Sequence, residues 1–273
     1  MGLQTNNSHR IQSITGYLLV ISIFTMLTLP SFFSENMTLD GVIYASLSRN
    51  LANGLGTFWS PQLSNTLFKH FYEHPPLAIG FQSIWFHLLG DTIYTEKLYS
   101  LSTYILTSYL ITLIWKEVTG TISSGWIPLL FYFTTTKIAW ACSNNILENT
   151  MNIFVCFAVY SYLIALKKKS FYYVLLSGLS LSFSFFTKGF IGLFVWCLPF
   201  IFWKYSTPDT PIKKGILLII ATILPVFIVL ITFTAEKTTS LTTGTYKFLE
   251  VSQTKLDPVS SFFKLLPTIS FLQ

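Results

Sequence analysis

The chain has 273 residues, of which 52% are hydrophobic and 10% are charged, and its mean hydropathy is +0.58. Soluble domains usually carry about 25% charged residues, so the composition excludes an ordinary soluble enzyme. The formal net charge of +6 does not indicate nucleic-acid binding, because the basic residues lie in short clusters between apolar runs. These features predict a polytopic membrane protein.

Apolar runs long enough to cross a bilayer recur along the whole chain. The first run is too long for the core of a signal peptide and no small-residue cleavage site follows it, which indicates a retained helix. The run 76–89 is also apolar but is short for a crossing. The seven predicted spans are 16–33, 98–115, 126–142, 150–166, 171–187, 189–203 and 215–234.

Charge between the apolar runs predicts the topology. His9 and Arg10 place the N-terminus in the cytoplasm. If the run 76–89 crosses the bilayer, the triple lysine at 167–169 faces outward. If this run lies in the interface or is re-entrant, that cluster and the other basic clusters all face the cytoplasm, which is the arrangement we predict. The other clusters are Lys116, Lys204 and Lys213–Lys214.

In this topology residues 34–97 form one long outer loop, and several ionisable residues converge at the outer surface. Such residues at membrane depth are costly and are candidates for function. None of them was used to choose the topology, so their convergence supports it independently. They are Asp40, Glu73, Glu148 and Lys188.

The first half of the outer loop, 38–54, predicts a short amphipathic helix on the membrane surface. Ile43, Leu47 and Leu51 recur every four residues, and Asn53-Gly54 can end the helix. Asp40 lies near its start. A helix cap is one interpretation of this acid, and an active-site carboxylate is the other.

The second half of the loop contains "FYEHPPL", residues 71–77. Proline is tolerated in the first turn of a helix, so Pro75-Pro76 predicts a helix start. Glu73 and His74 would precede that start at the membrane surface. An acid there can be a solvated loop residue, can bind a metal or can hold a substrate hydroxyl.

The order of these motifs resembles the bacterial protein mannosyltransferase and aminoarabinose-transferase family, glycosyltransferase family 39, of the glycosyltransferase-C fold. The outer-loop "DGxxYA…R…NG" is followed by "FYEHPPL", "GDTIYTEKLYSLST", "SNNILENTMNIF" and "LSFSFFTKGFIGLFVWCLP". The resemblance covers roughly residues 15–205. It implies an all-α transmembrane helix bundle whose long first outer loop contains juxtamembrane helices, with residues 1–273 forming one domain.

The resemblance also implies roles for individual residues. Asp40 matches an acid that activates the acceptor or stabilises the transition state, and Glu73 matches an active-site acid that binds a metal in some members. Tyr44 and His74 belong to the same two motifs and are expected to bind substrate. The other residues expected to bind substrate are Lys97, near the donor phosphate, Glu148, at the family's second aspartate, and Lys188 of "TKG".

The implied activity is transfer of a sugar from a polyprenyl-phosphate donor to a lipid, glycan or protein acceptor at the outer face of the plasma membrane. Protein glycosylation and lipid A modification are both within the family's range, and a divalent metal ion is the only cofactor implied. Gly41 replaces the second acid of the family's "DE" pair, and lysine at 97 lacks the bidentate geometry of the usual arginine. Members are commonly longer than this chain. The alternative is therefore a shortened, catalytically inactive homologue, or a membrane protein that binds or transports lipid-linked sugars.

Overall fold

The computed structural model describes residues 2–34, 37–66, 69–198, 201 and 209–242. The chain divides into two compact units, Met1–Val226 and Phe227–Gln273. In the second unit the described residues, 227–242, are helical. All seven predicted site residues lie in the first unit.

The described residues are mainly helical. One small hairpin, β1 (Gly56–Thr57) and β2 (Ser60–Pro61), pairs antiparallel with Gly56 opposite Pro61. A 3₁₀ helix spans Gly189–Cys197. The α-helices are α1 (Gly2–Phe33), α2 (Leu39–Ala52), α3 (Leu77–Leu89), α4 (Thr95–Thr119), α5 (Trp126–Thr134), α6 (Thr136–Ser143), α7 (Leu147–Lys168), α8 (Phe171–Lys188) and α9 (Asp209–Thr242).

Among the described residues, four stretches are long and apolar enough to cross a membrane: Arg10–Phe33, Thr95–Thr119, Leu147–Lys168 and Phe171–Cys197. They contain the predicted spans 16–33, 98–115, 150–166 and 171–187. The prediction of an all-α polytopic membrane protein is confirmed. The predicted span 215–234 lies within α9, and part of its side chains lie outside the described residues.

The fourth stretch turns back on itself at Gly189. This glycine has a φ of 77°, a left-handed value that glycine adopts readily. After the turn, Gly192 packs directly against Ser184, although residues eight apart in a straight helix are about 12 Å apart. The predicted span 189–203 therefore begins as a separate segment, but as a 3₁₀ helix. Its residues 199–200 and 202–203 lie outside the described part of the chain.

The predicted span 126–142 is not one continuous helix, because the chain breaks between α5 and α6. Thr135 has φ −69° and ψ 112°, which is extended backbone. Two threonine hydroxyls at the break compete with continuation of the helix. Thr134 Oγ1 donates to the Leu130 carbonyl and Thr135 Oγ1 donates to the Phe131 carbonyl, each at 2.7 Å. The periodic apolar pattern of 126–142 did not reveal this effect of the three consecutive threonines.

Helix α3, which covers most of the run 76–89, stays beside the start of α4. Near its first residue, the Ala78 carbonyl accepts a long hydrogen bond of 3.5 Å from Tyr99, and past its last residue the Gly90 carbonyl accepts one of 2.8 Å from Thr95. Both partners belong to the first two turns of α4. At 13 residues α3 is about 20 Å long, shorter than the roughly 30 Å of a bilayer core.

Helix contacts define two opposite ends of the first unit. At one end, here called the site end, the last turn of α1 meets the first turn of α4 through Lys97 and Phe32. The same end holds the start of α7 and the end of α8, which are joined by Glu148 and Lys188. The acids and the lysine that the topology grouped together thus lie at one end of the bundle.

At the other end, here called the lysine end, the ends of α4 and α7 meet. The Lys167 amino group contacts the Glu117 carboxylate at 2.8 Å. The start of α9 joins them, since Lys214 donates to the Ala165 carbonyl at 2.7 Å. The ordering of charge predicted from the sequence therefore corresponds to two physical ends, with the described lysine clusters opposite Asp40, Glu73 and Glu148. The predicted cluster at Lys204 lies outside the described residues.

The helices between the two ends pack through small side chains. The Ser177 hydroxyl of α8 donates to the Ala158 carbonyl of α7 at 2.8 Å, and Gly178 lies against Ala221 of α9. Small residues allow close backbone approach where lipid gives no hydrophobic driving force between helices. The close packing of α7 on α8 determines where Glu148 and Lys188 meet.

Candidate active site

Helix α2 begins as predicted but Asp40 does not cap it. Thr38 occupies the N-cap position, and Asp40 is an exposed residue of the first turn. An acid in that turn interacts favourably with the helix dipole and leaves its carboxylate open to solvent. At the other end the helix stops at Asn53, followed by Gly54 with a φ of 79°. The capping interpretation of Asp40 is therefore wrong, and its side chain is accessible.

Gly41 is buried because α2 lies against the turn before α7. A Cβ at this position would overlap the carbonyl oxygen of Asn144 and come within 2.8 Å of the Met37 side chain. The backbone amide of Thr38 donates to Asn144 Oδ1 at 2.9 Å, which fixes the same contact. The glycine that replaces the second acid of the "DE" pattern is thus required by packing.

A chain of buried polar groups holds α2, α3 and this turn together. Asn145, with a left-handed φ of 48°, donates from its side chain to the Gly41 carbonyl at 3.2 Å. Its Oδ1 accepts from Gln82 Nε2 at 2.9 Å, and the Ser48 hydroxyl donates to Gln82 Oε1 at 3.0 Å. Sequence reasoning missed Ser48 and Gln82. The polar "SNN" before α7, in otherwise apolar surroundings, was the available signal for Asn145.

Tyr44 and His74 contact each other at the centre of the site. Their ring centroids are 5.8 Å apart in an edge-on arrangement. Phe71, which is buried, contacts both rings at 6.4 Å and anchors the loop. The loop then enters α3, whose N-cap residue is Pro76, as the prolines predicted. The imidazole therefore packs against Tyr44 of α2 and against Phe71.

Glu148 and Lys188 form an ion pair across the start of α7 and the end of α8. The Lys188 side chain is 17% exposed and that of Glu148 is 35% exposed. Only Oε1 of the carboxylate meets the amino group. Oε2 is buried and has no hydrogen-bond partner within the described chain. A buried carboxylate oxygen without a donor is costly, so it is suited to accept a hydroxyl from a bound molecule.

Electrostatic coupling joins the two halves of the site. Burial raises the pKa of Tyr44, and the charges of Asp40, Glu148 and Glu73 raise it further. The phenol therefore stays protonated at neutral pH and can donate a hydrogen bond. The four groups lie on α2, on the loop before α3 and on α7, so one cluster includes residues from distant parts of the sequence.

The same charges act on His74 in opposite directions. Burial lowers the pKa of this imidazole and Lys188 lowers it further, while Glu73, Asp40 and Glu148 oppose the shift. The net direction is downward, so the ring is neutral at pH 7. A neutral imidazole beside a lysine can accept a proton or a hydrogen bond.

Residues 73–233 of the chain match the model of the dolichyl-phosphate-mannose-protein mannosyltransferase family. The chain belongs to this family. The resemblance seen in the sequence is confirmed, and the match includes Glu73, His74, Lys97, Glu148 and Lys188. The comparisons with curated proteins and with solved structures give no match.

For a member of this mannosyltransferase family, Lys97 takes an unexpected position. It is 5% exposed, and its amino group donates to the carbonyls of Phe32, at 2.8 Å, and Ser34. Those carbonyls belong to the end of α1, where a cation is favoured by the helix dipole. Lys97 is not among the charges that act on Tyr44 or His74. The structure does not bring it together with the other six site residues, and its contact with the donor phosphate stays a prediction.

The described residues do not fit a metal site. No group of three or more His, Cys, Asp or Glu side chains in the described part of the chain could hold an ion. Glu73 is exposed and lies beside His74 as a neighbour in sequence. Two donors from one loop are fewer than a divalent ion normally requires from its protein.

Proposed function

We propose that this family member transfers a sugar from a polyprenyl-phosphate carrier to a hydroxyl or phosphate of a lipid, glycan or protein at the extracytoplasmic face of the plasma membrane. The observation that carries the proposal is the Glu148–Lys188 ion pair, set beside the Tyr44–His74 contact at the site end. The site lies where helices long enough to cross the bilayer begin or end. A lipid-borne phosphate and a soluble acceptor can meet there.

The donor phosphate becomes the leaving group. The acceptor oxygen attacks the anomeric carbon from the face opposite the phosphate, and the bond between that carbon and the phosphate oxygen breaks. The phosphate leaves with the electron pair and gains negative charge. Lys188 is the cation that stabilises this charge, since it is mostly buried and a fixed charge acts strongly in a water-poor site.

Asp40 takes the proton of the acceptor hydroxyl. Its carboxylate is exposed at the start of α2, so an acceptor can reach it from solvent. Glu73, also exposed, positions the acceptor from the facing loop. The Tyr44 phenol donates a hydrogen bond to the sugar or phosphate, and the unpartnered Glu148 oxygen accepts one from a sugar hydroxyl.

A membrane assay with a panel of polyprenyl-phosphate sugars tests the proposal. Membranes containing the wild-type chain are expected to transfer one sugar. Asp40→Asn should lose most of that transfer, since general base catalysis typically contributes about 10²–10⁴-fold. Glu73→Gln should also reduce transfer, because the acceptor is then positioned less well. Asp91→Asn is a matched control, because Asp91 is an exposed acid paired with Arg49 and does not act on Tyr44 or His74.

Full transfer by Asp40→Asn would show that this carboxylate is not the base. Tight binding of one donor by the wild type, without transfer to any acceptor, would instead favour the alternative of a protein that binds or transports lipid-linked sugars.

A further inference from the structure

The lysine end carries an excess of positive charge that the proposed sugar transfer does not use. Two acids lie at the same helix ends, Glu117 in α4 and Asp209 at the start of α9. The lysines lie at the end of α4, at the end of α7 and just after it, and in the first turns of α9. They are Lys116, Lys167, Lys168, Lys169, Lys213 and Lys214.

The acid in α4 is already engaged. The Lys167 amino group lies 2.8 Å from the Glu117 carboxylate and 2.5 Å from its carbonyl. Lys168 lies against the ring of Tyr173, at 5.2 Å from the centroid. Each of these lysines therefore has a partner within the protein.

Lys169 and Lys214 are different. Lys169 follows α7 with φ 50° and ψ 31°, a left-handed conformation uncommon for a lysine, and it is exposed. Lys214 donates to the Ala165 carbonyl at 2.7 Å, and Ala165 lies one helical turn before Lys169, so the two positive charges lie close enough to repel. Neither lysine belongs to an ion pair among the described residues. Two neighbouring cations are stabilised by an anion between them.

The residues around Lys169 and Lys214 indicate the source of such an anion. Apolar side chains next to the two lysines are open to the outside: Phe171 is 57% exposed, Tyr172 65% and Ile216 55%. Aromatic side chains of this kind are enriched at the level of lipid headgroups, and lysines at helix ends reach the same level. The anion that lies there in a membrane is the phosphate of a lipid.

We propose that Lys169 and Lys214 bind the phosphodiester of an anionic phospholipid. The lysines act as point charges, so binding should weaken as salt is added. A lysine near an anionic membrane surface strengthens association about five-fold, so removing both should reduce the preference for the anionic lipid by about 25-fold. This inference does not depend on the proposed sugar transfer.

Native mass spectrometry of the full chain in detergent tests the proposal, with equal amounts of phosphatidylglycerol and phosphatidylcholine added. The wild type is expected to retain phosphatidylglycerol preferentially, and Lys169→Gln/Lys214→Gln to lose that preference. Lys69→Gln/Lys137→Gln is the matched control, since both residues are exposed and the change in net charge is the same. The charge-conserving pair Lys169→Arg/Lys214→Arg should keep the preference, because it changes both side chains without removing their charge.

Equal losses in the two glutamine variants would overturn the proposal, because they would reflect net charge alone. The absence of any preference in the wild type would overturn it as well. Displacement of the lipid by inorganic phosphate, at a concentration where sodium chloride displaces none, would also contradict the proposal. That result would indicate a site for a soluble anion.

Discussion

Replacing Gly41 with alanine should destabilise the chain, although alanine is the better helix former. The added Cβ would overlap the Asn144 carbonyl oxygen and approach the Met37 side chain to 2.8 Å, where ordinary contacts begin at 3.4 Å. The methionine can move, since its end is flexible. The carbonyl cannot move alone, because it belongs to the turn that Asn145 and Thr38 hold against α2.

The expected cost follows from these contacts. Overpacking typically costs about 1–3 kcal/mol. Shifting α2 would also weaken the hydrogen bond from Asn145 to the Gly41 carbonyl, which contributes about 1 kcal/mol. The higher helix propensity of alanine relative to glycine offsets at most about 1 kcal/mol of this cost. The net loss is about 1–3 kcal/mol, which lowers the melting temperature by roughly 2–10 °C in a chain of this size.

Thermal unfolding of the detergent-solubilised chain, followed by tryptophan fluorescence, measures this loss. Val42→Ala is the control, because Val42 is the next residue of α2 and is 48% exposed, so its change should stay within about 0.5 kcal/mol. Sugar transfer should fall in Gly41→Ala as well, since α2 carries Asp40. If Gly41→Ala has the same melting temperature as Val42→Ala and keeps full activity, the contact with Asn144 does not constrain position 41.

Three further predictions concern the cluster itself. Lys188→Met should cost about 1–3 kcal/mol, since it leaves the Glu148 carboxylate without its cation, and Lys188→Met/Glu148→Gln should recover part of that loss in the same melting assay. Because the pKa of His74 is lowered, its contribution to stability is complete above pH 6.5 and is lost as the pH falls below that value. His74→Gln should therefore flatten the acid side of the profile of melting temperature against pH. An unchanged profile would contradict the buried neutral ring. Tyr44→Phe keeps the ring contact with His74 and removes only the hydroxyl. It should reduce sugar transfer by about ten-fold or more with little change in melting temperature. A loss of stability without a loss of activity would indicate a structural role instead.

The grouping of the charged residues could be predicted from the sequence because it depends only on helix direction. Each crossing reverses the direction of the chain, so a residue at the start of one span shares a membrane face with a residue at the end of the next. Glu148 begins α7 and Lys188 ends α8, which is why counting spans was enough to place them together. The prolines before α3 likewise predicted its start from local geometry alone.

Packing contacts between distant segments could not be predicted in this way. The overlap between Gly41 and Asn144 joins residues more than a hundred positions apart, and no local pattern records it. Lys97 is a similar case, since the end of α1 satisfies its amino group. The break at Thr135 was local, but the apolar periodicity around it outweighed the threonines in our prediction.

Although Gly41 replaces the second acid of the family pattern, three carboxylates still act on Tyr44. In the family pattern the second carboxylate follows the first in sequence, but here that position is filled by the packing of α2 on the Asn144 turn. The charges that act on Tyr44 are those of Asp40, Glu148 and Glu73, in that order of size. Negative charge therefore reaches the phenol from three elements rather than from two neighbours in one helix. Because Glu148 is also fixed by Lys188, a substitution that moves α7 against α8 should change the charge near both Tyr44 and His74. A change in the loop before α3 should act on Tyr44 through Glu73 and through the ring contacts of Phe71 and His74.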